Sequence, residues 1–144
     1  MNLNQILEEW EKDAAIDPLR LSASSLDTAK LHHKYYSLLV GEKGRLRVVE
    51  KELAARTQLL TDWMEGTLTR DEMKENNLEP YLIKRLKSDI EKRVQLLPEI
   101  VALQDKVQVQ RLKIEALDSI LKMIANRGFQ IKNAIDYMRL QNGG

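Results

Sequence analysis

Two kinds of residue in this chain of 144 residues could do chemistry, and the first kind leads nowhere. His32 and His33 are adjacent; on a helix their side chains diverge by about 100°, so the pair cannot chelate one ion without outside ligands. The absence of cysteine removes thiolate catalysis, disulfides and Cys-ligated zinc. There is no Gly-x-x-x-x-Gly-Lys-Ser/Thr loop and no Gly-x-Gly-x-x-Gly turn to cradle nucleotide phosphates. Carboxylate pairs such as Glu8-Glu9 read as solvated helix faces. The expectation is a protein without catalytic residues, metal ligands or cofactor, and not an enzyme.

The second kind is cationic. Formal net charge is only +1, but distribution matters more than the sum. Residues 1–17 set Glu8, Glu9, Glu11, Asp13 and Asp17 against Lys12, a net of −4. Residues 30–56 set Lys30, Lys34, Lys43, Arg45, Arg47, Lys51 and Arg56 against Glu42, Glu50 and Glu52, a net of +4. Residues 122–139 set Lys122, Arg127, Lys132 and Arg139 against Asp136, a net of +3. Lys43, Arg47, Lys51 and, slightly rotated, Arg45 project from neighbouring faces of one helix. Such a row touches phosphates without reading bases. The competing reading is that these cations solubilise the outside of a coiled coil and pair with Glu50 and Glu52. Arg56 extends the row, and Lys34, Arg127 and Lys132 are further candidates. Tyr36 is available to stack on bases, whereas Tyr35 and Trp63 sit on an apolar register and read as core.

The elements that must position these residues are helical. Leu, Lys, Glu, Ala and Arg recur, prolines and glycines are few, and aromatics make up 5% of residues, so the core is mostly aliphatic. The length suits one structural unit with a modest core. Leu3, Ile6, Leu7 and Trp10 mark a first helix ending near Asp13, with Pro18 stopping it. Ser22, Ser24 and Ser25 are N-cap candidates for a second helix reaching Glu65. Its register runs Leu46, Val49, Leu53, Arg56, Leu60 and Trp63, and traces back through Glu42 to Leu39 and Tyr35. A helix over 25–64 would be ~60 Å long, against a radius of gyration of ~14–15 Å for a compact monomer of this size. Either it breaks at Gly41 and Gly44, or other subunits cover it. Thr69 to Glu72 is a capping box for a short helix closed by Asn76 and Asn77, and Ser88 to Glu91 is a second box. Pro98 is a kink or a helix start. Ile100, Leu103, Val107, Gln110, Ile114, Leu117, Leu121 and Ile124 then alternate steps of three and four, and Gly128 bends or ends the helix. The fold class is therefore all-α, with long helices in coiled-coil-like registers. The organisation expected along the chain is 1–66, N-terminal helices with the basic stretch; 67–97, an acidic connector with short helices; and 98–144, a C-terminal region for self-assembly. Val107, Ile114, Leu117, Leu121 and Ile124 are the expected oligomerisation residues, with Gln110 setting register. No stretch approaches the ~20 apolar residues of a membrane span, and the chain reads as soluble, without a membrane partner.

In order along the chain, several segments resemble the UvsY family, the recombination mediators of T-even-type phages. They are Leu3, Ile6, Glu8-Glu9, Lys12-Asp13, Ile16-Asp17 and Leu21; Leu31 and Lys34-Tyr35; Asp62-Trp63-Met64-Glu65-Gly66; Leu86-Lys87-Ser88-Asp89-Ile90; and, most strongly, Ala125-Asn126-Arg127-Gly128-Phe129-Gln130-Ile131-Lys132-Asn133 with Gly143. The resemblance implies a homo-oligomeric ring, a hexamer or heptamer, in the cytoplasm of an infected host cell. It implies single-stranded DNA, a RecA-like recombinase and a single-strand-binding protein as partners, in recombination, repair and replication. It also implies DNA contacts just before the aspartate–aromatic–glycine stretch. There Arg56-Thr57-Gln58-Leu59-Leu60 keeps one basic residue, which moves the expected contacts upstream to Lys43, Arg45, Arg47 and Lys51. The alternative from another class is a non-enzymatic helical scaffold, a virion or chaperone assembly protein without DNA affinity.

Overall fold

A computed structural model describes residues 1–143, which form five helices and, among the described residues, no strand. They are α1 (Leu3–Asp13), α2 (Leu21–Glu65), α3 (Arg70–Glu75), α4 (Lys87–Leu96) and α5 (Pro98–Gln141). Two of them, α2 and α5, are 45 and 44 residues long.

Local chemistry sets most of the boundaries. Asn2 caps α1 by accepting from the Gln5 amide while the Gln5 side chain accepts from the Asn2 amide, both at 2.8 Å. Pro18 follows in a turn closed by Arg20 N–H to the Asp17 carbonyl, and Asp17 Oδ1 accepts from the Leu19 amide at 2.9 Å. That turn starts α2 at Leu21, so Ser22, Ser24 and Ser25 lie inside its first turns and are not its caps. At the other end the Thr67 amide bonds to the Asp62 carbonyl and the Gly66 amide to that of Trp63. This paired closure needs a left-handed residue, and Gly66 has φ +79°. The Thr69 capping box opens α3, and Asn77, at φ 55°, turns the chain out of it. Leu97 is extended, as a residue before proline prefers, and Pro98 begins α5.

Three expectations change. The helix expected at Ser88 begins at Lys87, with Leu86 at the cap position and no side chain capping it. Asp89 instead accepts from Arg85 at 3.1 Å and Arg93 at 3.2 Å. Second, α2 does not break: Gly41 and Gly44 are helical and would meet nothing within 4 Å if given a Cβ. Third, α5 runs through Gly128.

The described residues divide into two compact units. One holds residues 1–44 and the chain from Gln110 on, the other Arg45–Val109, so each long helix contributes a stretch to both. The segments expected along the chain, 1–66, 67–97 and 98–144, divide it differently, because the units are cut across α2 and α5. In the first unit Ile6, Tyr35, Leu39, Leu117, Ile120 and Ile124 form the core, with Trp10, Leu31, Leu38, Ile114 and Leu121 against it. Trp10 meets the Tyr35 ring edge-on, centroids 5.4 Å apart. In the second, Leu60, Met64, Ile90, Val94 and Ile100 are packed with Leu53, Trp63, Leu78, Tyr81 and Leu97. Within each unit, then, the apolar stripe of α2 is covered by helices of the same chain.

Leu117 is fully buried in the first core. Leu117→Ala should lower the free energy of unfolding by about 2–5 kcal/mol, read as a lower urea midpoint at unchanged slope.

Candidate nucleic-acid interface

The expected cations fall into two groups. Lys43, Arg45, Arg47 and Lys51 are all exposed on α2, Lys43 in the first unit and the other three in the second. Lys43, Arg47 and Lys51 recur every four residues and form no ion pair among the described residues. On a helix that spacing makes a row of flexible cationic arms on one side. Lys132, on α5, is exposed too.

The other three are committed inside the chain. Arg56 is half-buried; its guanidinium forks onto both carboxylate oxygens of Glu99 and donates from Nη1 to Asn76 Oδ1 at 3.2 Å. The Glu99 carboxylate holds it above the ordinary arginine range. It ties α2 to the start of α5 and the end of α3. Arg127 is only 4% exposed and donates to the carbonyls of Asp13, Ala14 and Ala15 at 3.1–3.4 Å. It satisfies the orphan carbonyls at the negative end of α1. Its Nε is buried without a hydrogen bond. That leaves little of Arg127 for an outside phosphate.

Lys34 clamps the same helix end. Its ammonium reaches Glu9 at 2.9 Å and Asp13 at 2.5 Å, and Tyr35 donates to Asp13 Oδ2 at 2.9 Å. Burial pushes the Asp13 carboxyl up, but the bonds from Lys34 and Tyr35 outweigh it and hold it below the usual value. Burial pushes Lys34 down, and Asp13 and Glu9 more than reverse that. Burial and the Asp13 carboxylate together push the Tyr35 hydroxyl far up, so it stays a donor.

Aromatic residues sort the same way. Tyr35 is fully buried, and Trp63 is half-buried, its indole donating to the Glu79 carbonyl at 2.6 Å and its ring against Tyr81. Tyr36 is 51% exposed, with its ring nearly parallel to that of His32 and the centroids 5.9 Å apart.

The residues expected to bind other copies are placed in the chain's own interior. Val107, Leu117 and Ile124 are buried, and Ile114 and Leu121 are half-buried against the first core. Gln110 is buried as well, and its amide donates to the carbonyl and side chain of Glu42, itself 2% exposed. Lys113 Nζ lies 3.7 Å from the same carboxylate. The register-setting role expected of Gln110 between subunits is filled inside one chain: a misaligned α2 and α5 would strand this buried carboxylate.

The family model for the recombination, repair and single-stranded-DNA-binding protein UvsY matches residues 9–144. The chain belongs to the UvsY family. Two crystal structures of the bacteriophage T4 recombination mediator UvsY share its fold at a TM-score of 0.83. One is 20% identical over 97% of this chain and 98% of that one, the other 22% identical over 100% and 99%. A third crystal form superposes at 0.79 with 18% identity, over 95% and 98% of the two chains. Comparison with curated protein sequences finds no match. In this UvsY-family chain the stretch before the aspartate–aromatic–glycine segment faces inward: Leu60 is buried and Arg56 is paired with Glu99. No described helix is long and apolar enough to cross a membrane.

The inward placement of Arg56 and Arg127 had a signal in the sequence. Arg56 lies on the register between Leu53 and Leu60, and Arg127 between Ile124 and Ile131, again in steps of three and four. A cation on a core register is forced inward, whereas Lys43, Arg47 and Lys51 lie off it.

The clamp on α1 carries a pH dependence. Because Asp13 titrates lower in the fold than its ordinary 3.8, its stabilisation is complete above that value and is lost as pH falls through the lower one. Lys34, raised above 10.5, contributes fully below that and loses its contribution only at higher pH. Thermal melts should therefore show falling stability below about pH 4, and Asp13→Asn should flatten that acid limb while lowering stability at neutral pH. An unchanged acid limb in the variant would remove Asp13 as its cause.

Proposed function

We propose that this chain is a non-enzymatic, single-stranded-DNA-binding recombination mediator that works as a homo-oligomeric ring. In this reading it promotes loading of a RecA-like recombinase onto DNA covered by single-strand-binding protein. The observation that carries the DNA-binding part is the exposed row Lys43, Arg47 and Lys51, which has no acidic partner among the described residues. A helix need not hold three long cations on one side for its own stability; a phosphate backbone is what such a row fits. Exposed Tyr36 lies seven residues before Lys43 and so on nearly the same side of α2, while Arg45, on the other side of that helix, and Lys132 on α5 are further exposed cations that a strand could meet.

A mediator needs no bond-breaking groups. A row of three cations binds one strand weakly, and copies of it around a ring add through effective concentration. A strand held at many weak points can be bent or wrapped without a single tight contact, and the competing protein's grip on it changes. Affinity for the recombinase at the same moment then favours exchange.

Assembly has to use a surface the chain has not already filled. With Leu117 and Ile124 turned inward, α5 still presents Leu112 at 50% exposure and Met123 at 43%, with Ala116 and Ser119 between them at helical spacing. This second face of α5 is the surface we assign to contact between copies.

Binding to oligothymidylate should weaken as salt rises. Neutralising Lys43, Arg47 and Lys51 together should make the log–log slope shallower by about 2, from three lost contacts on a single strand. No binding at low salt would sink the proposal in favour of a helical scaffold without DNA affinity. Separately, Leu112→Arg should give smaller species on sedimentation with helix content intact, and weaker DNA binding with them. Full-strength binding by the smaller species would show that avidity is not the source of affinity.

A further inference from the structure

Trp10 and Ala14 stand four residues apart on α1, and Met123, Asn126, Arg127 and Gln130 fall at i, i+3, i+4 and i+7 on α5, so each set shares one side of its helix. Both sets belong to the first unit, and together they line a cavity of about 250 Å³. That is just under the ~300–1,000 Å³ of a site for a drug-sized molecule, so the space suits a single ring system. No carboxylate lines it.

The polar groups around this cavity have bonds to spare. The side-chain amides of Asn126 and Gln130 and the indole N–H of Trp10 make no hydrogen bond among the described residues. Arg127 spends Nη1 and Nη2 on the carbonyls that end α1, but its Nε is buried with no partner. A buried donor without an acceptor is uncommon in a folded protein. Here it belongs to a residue only 4% exposed, in a wall that also carries two unpaired amides.

We infer that this cavity between α1 and α5 takes a single unpaired nucleobase of a bound strand. The inference rests on the DNA-binding reading above and adds a base contact to its phosphate contacts. A base has an apolar face for Trp10 and Met123 and a polar edge for the amides. Each amide can turn to present a donor or an acceptor, which keeps the contact independent of sequence. The guanidinium of Arg127 makes its wall positive and favours a ring carbonyl. An aliphatic side chain from a partner protein would leave the amides unpaired. A carboxylate would have to give up its water against Trp10 and Met123, a cost that a neutral ring escapes. In a duplex the bases are held in the stack, so a single strand is the natural source.

The test uses the full chain and two probes of equal length, oligothymidylate and an abasic oligomer with the same phosphates. Oligothymidylate should bind about tenfold more tightly, and it alone should quench tryptophan emission. Trp10→Phe should remove the quenching and leave the emission of Trp63. Asn126→Ala combined with Gln130→Ala should bring oligothymidylate down to the abasic level at an unchanged salt slope, since no phosphate contact is lost. Both positions are exposed, so the double variant keeps its fold, and its melting temperature serves as the check. Equal binding of the two probes without quenching overturns the inference and leaves the cationic row standing. Binding of neither probe overturns the DNA-binding reading along with it. Quenching that survives Trp10→Phe, or a double variant that keeps the full preference for bases, also overturns it. Smaller species on sedimentation of the double variant would overturn it in favour of contact between copies, whose assigned face includes Met123.

Discussion

A long helix can bury only one stripe of its surface, and every position on that stripe goes inward whatever its chemistry. In this chain α2 and α5 are so long, and the aromatic content so low, that folding depends on keeping those aliphatic stripes covered. The polar residues caught on a stripe have to find partners inside. Glu42 and Gln110 find each other, Arg56 finds Glu99, and Arg127 finds the carbonyl end of α1. Each pairing is tolerable only in one alignment, since a buried charge or amide without its partner costs more than the pair returns. The same groups that look like liabilities in an aliphatic core therefore fix which residues of the two helices meet.

That division also decides what is left for function. Cations on the stripe are consumed by the fold, and cations off it remain at the surface with their full reach. Lys43, Arg47 and Lys51 are of the second sort, which is why the row on α2 is the better candidate for phosphate contacts than the stretch around Arg56. The α1 clamp shows the consumption most plainly: Lys34 and Arg127 both serve the negative end of one short helix. A net charge near zero conceals this, because acids and bases that neutralise each other in the fold are counted equally with those that face solvent.

Membership of the UvsY family and the likeness to the T4 mediator's crystal structures show how little sequence such a fold requires. About a fifth of positions are identical, yet the fold is kept over nearly the whole of both chains. Physically this is reasonable. An aliphatic stripe accepts Leu, Ile, Val or Met with small adjustments of packing, whereas surface positions are free to drift.

The sequence by itself determined the helices: their periodicity, the capping box at Thr69, the stop at Gly66 and the start at Pro98 are local effects within a turn or two, and local effects are readable from neighbours. It also marked the cationic row and the family. What only the tertiary structure decided is which partner each stripe uses. The register of Val107, Leu117 and Ile124 would suit a neighbouring subunit or a helix of the same chain equally well, because apolar spacing does not say whose surface covers it. Here α1 and α2 of the same chain cover Leu117 and Ile124. The commitment of Arg127 was likewise decided at a distance, by carbonyls more than a hundred residues earlier in the chain.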